Sequence, residues 1–298
     1  MSTLTSYASA AARDSAAPAA SNTGLCIFRT DTKAIEVSDG SNYLRYDYDS
    51  FSGIDNNFSG SFDGTDDQIN CGTSNALDPS SWTINQWIKL DALSNGTSSV
   101  NTSVTRRDTV SPEGGFQVYE SAGNLAYYTG GASSDVILKT GAFSANTWYM
   151  VTVTHDGSTV KGYIDGSLVG SGSDTYTQGG TGTPFYIGFH ALGGSFPAIN
   201  FDGLIDETSI WSSVLSANEI STIYNSRAPI DLTSDIGNYA SSNDLVGWWR
   251  MGDGSGDTDS GGGTPASGDT IGTVKNIANP GTHDGTASGA VYSNDVVS

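Results

Sequence analysis

Residues 147–172 read TWYMVTVTHDGSTVKGYIDGSLVGSG, with short β-prone runs separated by the dipeptides Asp156-Gly157 and Asp165-Gly166. Asp-Gly favours the two-residue turns that join neighbouring antiparallel strands. Runs of this length connected by such turns predict an antiparallel meander. The segment therefore indicates an all-β protein that is built from antiparallel sheets.

The same pattern extends outward from the meander in both directions. Alternation in WTINQWIKLD, residues 82–91, predicts a strand with one face made of Trp82, Ile84, Gln86, Ile88 and Leu90. Turn residues are abundant throughout, with 38 glycines in the chain. Helical spacing occurs only in residues 216–226, where Ser216 and Glu219 form a capping box before the buried stripe Ile220, Ile223 and Tyr224.

Composition excludes several classes of partner. The 298 residues carry a formal net charge of −20, which repels nucleic acid and anionic membranes. No apolar run approaches the ~20 residues that span a bilayer. The N-terminus lacks the basic start and apolar stretch of a secretory signal, so we expect another export route or release within a virus particle. Cys26 and Cys71 are expected to be free or buried thiols, with one disulfide as the alternative.

The chain divides into four predicted segments. Residues 1–23, rich in Ala and Ser, predict an N-terminal arm, and residues 24–50 predict a β-hairpin module that anchors the protein. Residues 51–230 predict the main sandwich. Residues 231–298 predict further strands that complete the sandwich, with a Gly-rich loop between them.

The strongest strand prediction in the last segment is LVGWWRM, residues 245–251. Its large apolar surface would be an aggregation liability if it stayed exposed beside a sheet edge. Alternation predicts that Trp248 and Trp249 face opposite ways. The segment can close the sheet of its own chain or that of a neighbouring subunit.

Four segments, in order, resemble the laminin G-like and pentraxin-like branch of the concanavalin A-like lectin/glucanase superfamily. They are SFDGTDDQINCG (61–72), WTINQWIKLD (82–91), the 147–172 meander, and FDGLIDETSIWSSVLSANEISTIYN (201–225). The resemblance implies a two-sheet antiparallel jelly-roll sandwich. It also implies a permuted order, because segments similar to the family's opening strand lie here at 245–258 and 279–292.

The segment Gly24–Tyr46 resembles a short module found near the N-termini of tailed-phage fibre and appendage proteins. Together with a lectin-like sandwich, it predicts a virion-surface protein, either a capsid decoration or a fibre. The resemblance implies other virion proteins as partners through the N-terminal region, a host-surface glycan as ligand, and a homo-oligomer, with a trimer favoured. The alternatives are a secreted or surface carbohydrate-binding module of a bacterium, and a glycoside hydrolase of the same superfamily.

Catalysis is not expected from the residues present. Glucanases of the superfamily need two carboxylates that flank the scissile bond, usually in Glu-x-Asp-x-Glu on one strand. The glutamates that the chain contains never show that spacing: Glu36, Glu113, Glu120, Glu207 and Glu219. The three histidines are scattered and form no zinc motif. We therefore predict a protein without enzymatic activity.

The sequence also predicts two sites. Relatives often bind structural calcium at the position of Asp206, and carboxylate oxygens suit that ion, so calcium is predicted at Asp63, Asp66, Asp67 and Asp206. The alternative is that these aspartates cap turns. Tyr127 and Tyr128 are predicted ligand contacts, because adjacent strand residues face opposite ways and one ring can stack on a sugar. The alternative is one core tyrosine and one incidental surface tyrosine.

Overall fold

The computed structural model describes the backbone of strands 5–7, 26–29, 34–38 and 43–47, and residues 54–96, 99–108, 114–129, 135–190 and 200–297. The chain divides into two compact units, Met1–Ile54 and Asp55–Ser298. The first unit contains one four-stranded sheet in the order β1-β2-β3-β4. Its strands are β1 (Thr5–Tyr7), β2 (Cys26–Arg29), β3 (Ala34–Ser38) and β4 (Tyr43–Asp47). The predicted module thus contributes three antiparallel strands, and the segment predicted as an arm adds a fourth that is parallel to β2.

The second unit contains seventeen strands in two large sheets. They are β5 (Ser59–Asp63), β6 (Gln68–Asn70), β7 (Trp82–Leu90), β8 (Asn101–Arg107), β9 (Gly115–Ser121), β10 (Asn124–Thr129), β11 (Val136–Lys139), β12 (Trp148–His155), β13 (Thr159–Ile164), β14 (Ser167–Ser173), β15 (Tyr186–Ile187), β16 (Asp202–Trp211), β17 (Leu245–Trp249), β18 (Thr258–Asp259), β19 (Ile271–Val274), β20 (Gly285–Ser288) and β21 (Val291–Ser293).

The nine-stranded sheet has the order β11-β10-β9-β8-β15-β6-β20-β19-β18. The eight-stranded sheet has the order β14-β13-β12-β7-β16-β5-β21, and β17 also pairs with β16. Both sheets are antiparallel throughout their described pairs. The fold is therefore all-β and a two-sheet sandwich, as the alternation and turn pattern predicted.

The core lies between the two sheets and follows from the period-2 patterning. Trp82, Ile84, Ile88 and Leu90 of β7 are all buried in it, and they face Phe116 and other apolar residues of the nine-stranded sheet. Gln86, which falls on the same face, is satisfied because its amide donates to the Thr208 hydroxyl and the Ser103 carbonyl. Alternation thus places one amide inside the sandwich, where hydrogen bonding compensates its burial.

Among the described residues the only α-helix is α1 (Ala217–Tyr224), and short 3₁₀ turns span Asn75–Leu77, Asn225–Arg227 and Ser242–Asp244. The helix begins with the predicted capping box between Ser216 and Glu219. Ile220 and Ile223 are buried, whereas Tyr224 is half-buried and stacks on Trp87 at 5.8 Å between ring centroids. No helix in the described part of the chain is long and apolar enough to cross a membrane.

The C-terminal strands join both sheets within one chain. β17 pairs with β16 from Leu245 to Trp249. Trp249 enters the core and stacks on Phe185 at 5.5 Å, whereas Trp248 lies on the outer face and donates its indole N–H to the Glu207 carboxylate. β18, β19 and β20 extend the nine-stranded sheet, and β21 forms an edge of the eight-stranded one. Cys71 is a fully buried free thiol.

Candidate functional site

Three of the four aspartates predicted to bind calcium lie in one turn between β5 and β6. Oxygen atoms of Asp63, Asp66 and Asp67 all lie within 4.8 Å of one another. Asp67 accepts a hydrogen bond from the Asp63 backbone N–H (2.8 Å), and Asp63 accepts one from the Thr65 N–H (2.8 Å). Two of the three carboxylates therefore cap the turn. Asp63 and Asp66 are exposed and Asp67 is buried, so Asp66 is the exposed carboxylate that does not cap the turn.

The structure does not bring Asp206 into this group. Asp206 lies opposite Trp87 on β16, is fully buried, and accepts hydrogen bonds from the Asn56 amide (3.0 Å) and the Glu207 backbone N–H (2.8 Å). Burial, followed by the adjacent Glu207, raises the pKa of the Asp206 carboxyl. The predicted four-carboxylate calcium set is therefore wrong in including Asp206.

The residue of β16 that does meet the turn is Asp202, which is paired in register with Asp63. Both carboxylates line a pocket of about 310 Å³, together with Asn101 and Asn200. Burial raises the pKa of the Asp202 carboxyl, and the nearby Asp91 and Asp63 raise it further. The tripeptide Phe-Asp-Gly occurs at both 62–64 and 201–203. This repeat is the sequence feature that could have indicated the pairing of Asp63 with Asp202.

The two tyrosines predicted to contact a ligand occupy different environments. Tyr127 is fully buried against Trp82, with ring centroids 5.9 Å apart, and therefore cannot reach a ligand at the surface. Tyr128 is half-buried on the outer face of the nine-stranded sheet, where the Arg107 guanidinium lies 3.9 Å from its ring centroid. Including Tyr127 was wrong, because alternation turns its ring into the core.

A polar groove of about 470 Å³ lies on the outer face of the same sheet, over β15, β6 and β20. Tyr186 of β15 is half-buried in its wall and packs edge-on against Phe189 at 5.2 Å between centroids. Beside Tyr186, the floor of the groove is formed mainly by side chains at alternate positions of β6 and β20. The remaining lining residues are Gln68, Asn70, Gly72, Asp284, Thr286, Ala287 and Ser288.

Most hydrogen-bonding groups of this groove are uncommitted. Within the described residues, the side chains of Gln68, Thr286 and Ser288 make no hydrogen bond. Asn70 uses its carbonyl oxygen to accept from the Gly72 N–H (2.8 Å), so its NH₂ group remains available. Only Asp284 is fully engaged, with Lys275 at 2.7 Å and the Asn276 N–H at 3.1 Å. An aromatic ring therefore borders a set of neutral donors and acceptors.

Sequence reasoning missed every residue of this groove. β6 and β20 are separated by more than two hundred residues, yet they pair directly through Thr286–Asn70, Ala287–Ile69 and Ser288–Gln68. The local signal was the short alternation Gln-Ile-Asn in β6 and Thr-Ala-Ser in β20. These strands are too short for that alternation to predict which polar residues meet across the sheet.

A family model of the Concanavalin A-like lectin/glucanases superfamily matches residues 63–221, just over half of the chain. No curated protein sequence matches the chain. Among solved structures, a protein of Bacteroides ovatus ATCC 8483 proposed to bind carbohydrate gives a TM-score of 0.58 at 16% identity, over 89% of this chain and 68% of that one. A heptameric SAP-like pentraxin of Limulus polyphemus gives a TM-score of 0.47 at 17% identity, over 64% of this chain and 89% of that one. The chain belongs to the concanavalin A-like lectin/glucanases superfamily.

Proposed function

We propose that the chain is a non-enzymatic glycan-binding protein and that the polar groove over β15, β6 and β20 holds its ligand. The observation that carries the proposal is the half-buried Tyr186 beside the uncommitted polar groups of Gln68, Asn70 and Thr286. Sugar rings present an apolar face for aromatic stacking and hydroxyl groups for neutral hydrogen-bonding partners. The groove volume also falls within the range of small-molecule sites.

The test is an array of immobilised polysaccharides followed by calorimetry with each glycan that binds. Tyr186→Ala removes the stacking ring and is expected to weaken binding about tenfold or more. Tyr186→Phe is the matched control, since it keeps the ring and removes only the hydroxyl, and it should bind nearly as well as the parent. Equal binding by the alanine variant, with its fold verified by circular dichroism, would contradict the groove as the site.

The absence of hydrolysis is part of the proposal. Glu120 and Glu207 are both buried, and their carboxylates are engaged. Glu120 accepts from the Gly123 N–H and the Asn101 amide, and Glu207 accepts from Arg250 and Trp248. Groups held in this way are unable to reach a glycosidic bond. Incubation with β-glucans, galactans and bacterial polysaccharides should release no reducing ends, and release that Glu120→Gln or Glu207→Gln abolishes would refute this point.

We also propose a virion surface as the setting, with the N-terminal unit as the attachment point and a trimer as the assembly. The support is the resemblance of Gly24–Tyr46 to a phage appendage module and the compactness of Met1–Ile54 as a separate unit. Mass spectrometry of purified particles with immunogold labelling tests the setting, and light scattering of the purified protein tests the trimer. Recovery of the protein only from bacterial surfaces or culture medium would favour the alternative of a bacterial carbohydrate-binding module.

Calcium at the Asp63–Asp67 turn is a separate proposal. The three clustered carboxylates supply hard oxygen ligands, and Asp66 is exposed and not tied to the turn. Calcium titrated alone should raise the melting temperature, and Asp66→Asn should abolish the rise without changing the fold. An equal rise in the variant, or none in the parent, would identify these aspartates as turn caps only.

A further inference from the structure

The groove occupies one end of a longer row of side chains on the outer face of the nine-stranded sheet. Five residues lie directly opposite one another on adjacent strands: Tyr186, Asn70, Thr286, Thr273 and Thr258. All five are exposed or half-buried. Four strand spacings of about 4.8 Å give the row a length of roughly 19 Å.

The row runs across the strands, and the surface is much shorter along them. β15 contains two residues, β6 three, and β18 two. At about 3.3 Å per residue, these strands offer roughly 10 Å or less along their own direction. An elongated ligand therefore gains contacts only when it crosses the strands.

Beside Asn70, Thr286 and Thr273, the described flanking side chains carry no uncompensated charge. Gln68 and Ser288 are paired in register on one side. On the other side, Lys275 and Asp284 form an ion pair at 2.7 Å, so their charges cancel locally. The chain as a whole has a formal charge of −20, which disfavours anionic ligands. Thr273 and Thr286, at the middle of the row, have hydroxyls without hydrogen-bond partners in the described part of the chain.

Building on the proposed function, we infer that the ligand is an extended, uncharged polysaccharide that crosses five strands from Tyr186 to Thr258. Tyr186 stacks on one sugar ring at the start of the row. Thr286 and Thr273 hydrogen-bond the sugars that follow. The affinity then depends on how much of the row a glycan covers.

The experiment measures Kd for ladders of neutral β-1,4-linked gluco-, manno- and xylo-oligosaccharides, from disaccharide to octasaccharide. Heparin and polygalacturonate serve as anionic probes. For the ladder that binds, Kd should fall about tenfold with length and become constant once the oligomer spans the row. The anionic probes should not bind.

Two variants locate the far end of the row. Thr273→Glu places a charge and bulk beyond the groove and should weaken long oligomers about tenfold while leaving the shortest binders unchanged. Ser171→Glu is the matched control, since it adds the same charge to an exposed strand position of the other sheet. It should change neither.

The outcomes separate the two proposals. Failure of every neutral ladder to bind refutes the proposed function and this inference together. Binding that depends on Tyr186 but not on oligomer length or on Thr273→Glu overturns the extended row and leaves the groove as a site for a short glycan. Tighter binding of heparin or polygalacturonate overturns the neutral ligand class.

Discussion

The eight-stranded sheet presents Trp87, Trp148 and Trp211 on its outer face, whereas the nine-stranded sheet presents the row from Tyr186 to Thr258. The tryptophans are covered by later parts of the chain. Tyr224 of α1 stacks on Trp87, Tyr239 packs edge-on against Trp211, and Asp295 accepts the Trp148 indole N–H. Within the described residues, all five members of the row keep some exposure, although Phe189 packs edge-on against Tyr186.

This difference separates a structural face from a face available to partners. A buried tryptophan removes about 150–250 Å² from water, so the covered face contributes to stability as a third layer. Threonine and asparagine contribute little by burial, and leaving them exposed carries little penalty. Substitutions on the tryptophan face should therefore lower stability, whereas substitutions in the row should weaken binding.

The largest expected effect comes from removing residues 244–298, which deletes strands from both sheets and the Asp295 contact. We expect no cooperative unfolding transition and mostly insoluble protein, because β5, β6 and β16 all lose partners. Removing residues 1–54 is the matched control, since these form a separate compact unit, and that variant should stay folded. A soluble C-terminal truncation with unchanged melting temperature would show that these strands are dispensable.

The second largest loss of stability is expected from a substitution on the covered face of the eight-stranded sheet. Trp211 is fully buried, and its indole N–H donates to the Tyr239 hydroxyl at 3.0 Å. Trp211→Ala should lower the free energy of unfolding by about 3–5 kcal/mol, as measured by urea denaturation, with glycan binding retained at low temperature. A loss below about 1 kcal/mol would mean that the third layer packs only loosely on the sheet.

An effect of intermediate size comes from Asp257, in the loop that joins β17 of one sheet to β18 of the other. Burial raises the pKa of its carboxyl to about 6, although it accepts hydrogen bonds from the Gly252, Gly254 and Lys275 N–H groups. The folded state then holds a proton that the unfolded state, with its ordinary pKa of 3.8, releases. The free energy of unfolding should therefore decrease as pH rises from about 4 to about 6, by up to about 3 kcal/mol.

Asp257→Asn tests the origin of this pH dependence. Denaturant midpoints of the parent and the variant would be compared across the same pH range. The decrease should be visibly smaller in the variant, because asparagine cannot titrate. Parallel curves for the two proteins would assign the pH dependence to other groups.

The smallest effect on stability is expected on the open face. Tyr186→Ala should change the free energy of unfolding by about 1 kcal/mol or less, since the ring is half exposed and lies outside the core. Its consequence should appear in binding alone. A loss comparable to that of Trp211→Ala would remove the distinction between the two faces.

Much of the fold was predictable because its determinants are local. Three of these determinants each act over a few residues: the Asp-Gly turns in 147–172, the alternation in 82–91 and the Ser216–Glu219 capping box. The structure contains the predicted meander, strand and helix start. The opposite facing of Trp248 and Trp249 follows from the same period-2 geometry.

The site was much less predictable because it depends on register between distant strands. Between Asp206 and Ser209 the pairing of β16 with β7 shifts at a bulge, and Glu207 has a φ of 49° there. The bulge comes after both aspartates, so Asp202, which meets Asp63, and the buried Asp206 lie four positions apart on a regular part of the strand. Nothing in the composition of Ile-Asp-Glu indicates which carboxylate reaches the turn. Likewise, Tyr186 gains its polar neighbours only when β20 pairs with β6.

That pairing of first and last strands has a consequence for synthesis on the ribosome. β5 and β6, the earliest strands of the second unit, complete their ladders with β21 and β20, the final ones. Contacts of such sequence separation close slowly, because the chain must first lose the entropy of a very long loop. Until β20 and β21 leave the exit tunnel, the nascent protein carries two unpaired strand edges and is exposed to aggregation. A slowed or truncated translation product should therefore be a substrate for chaperones.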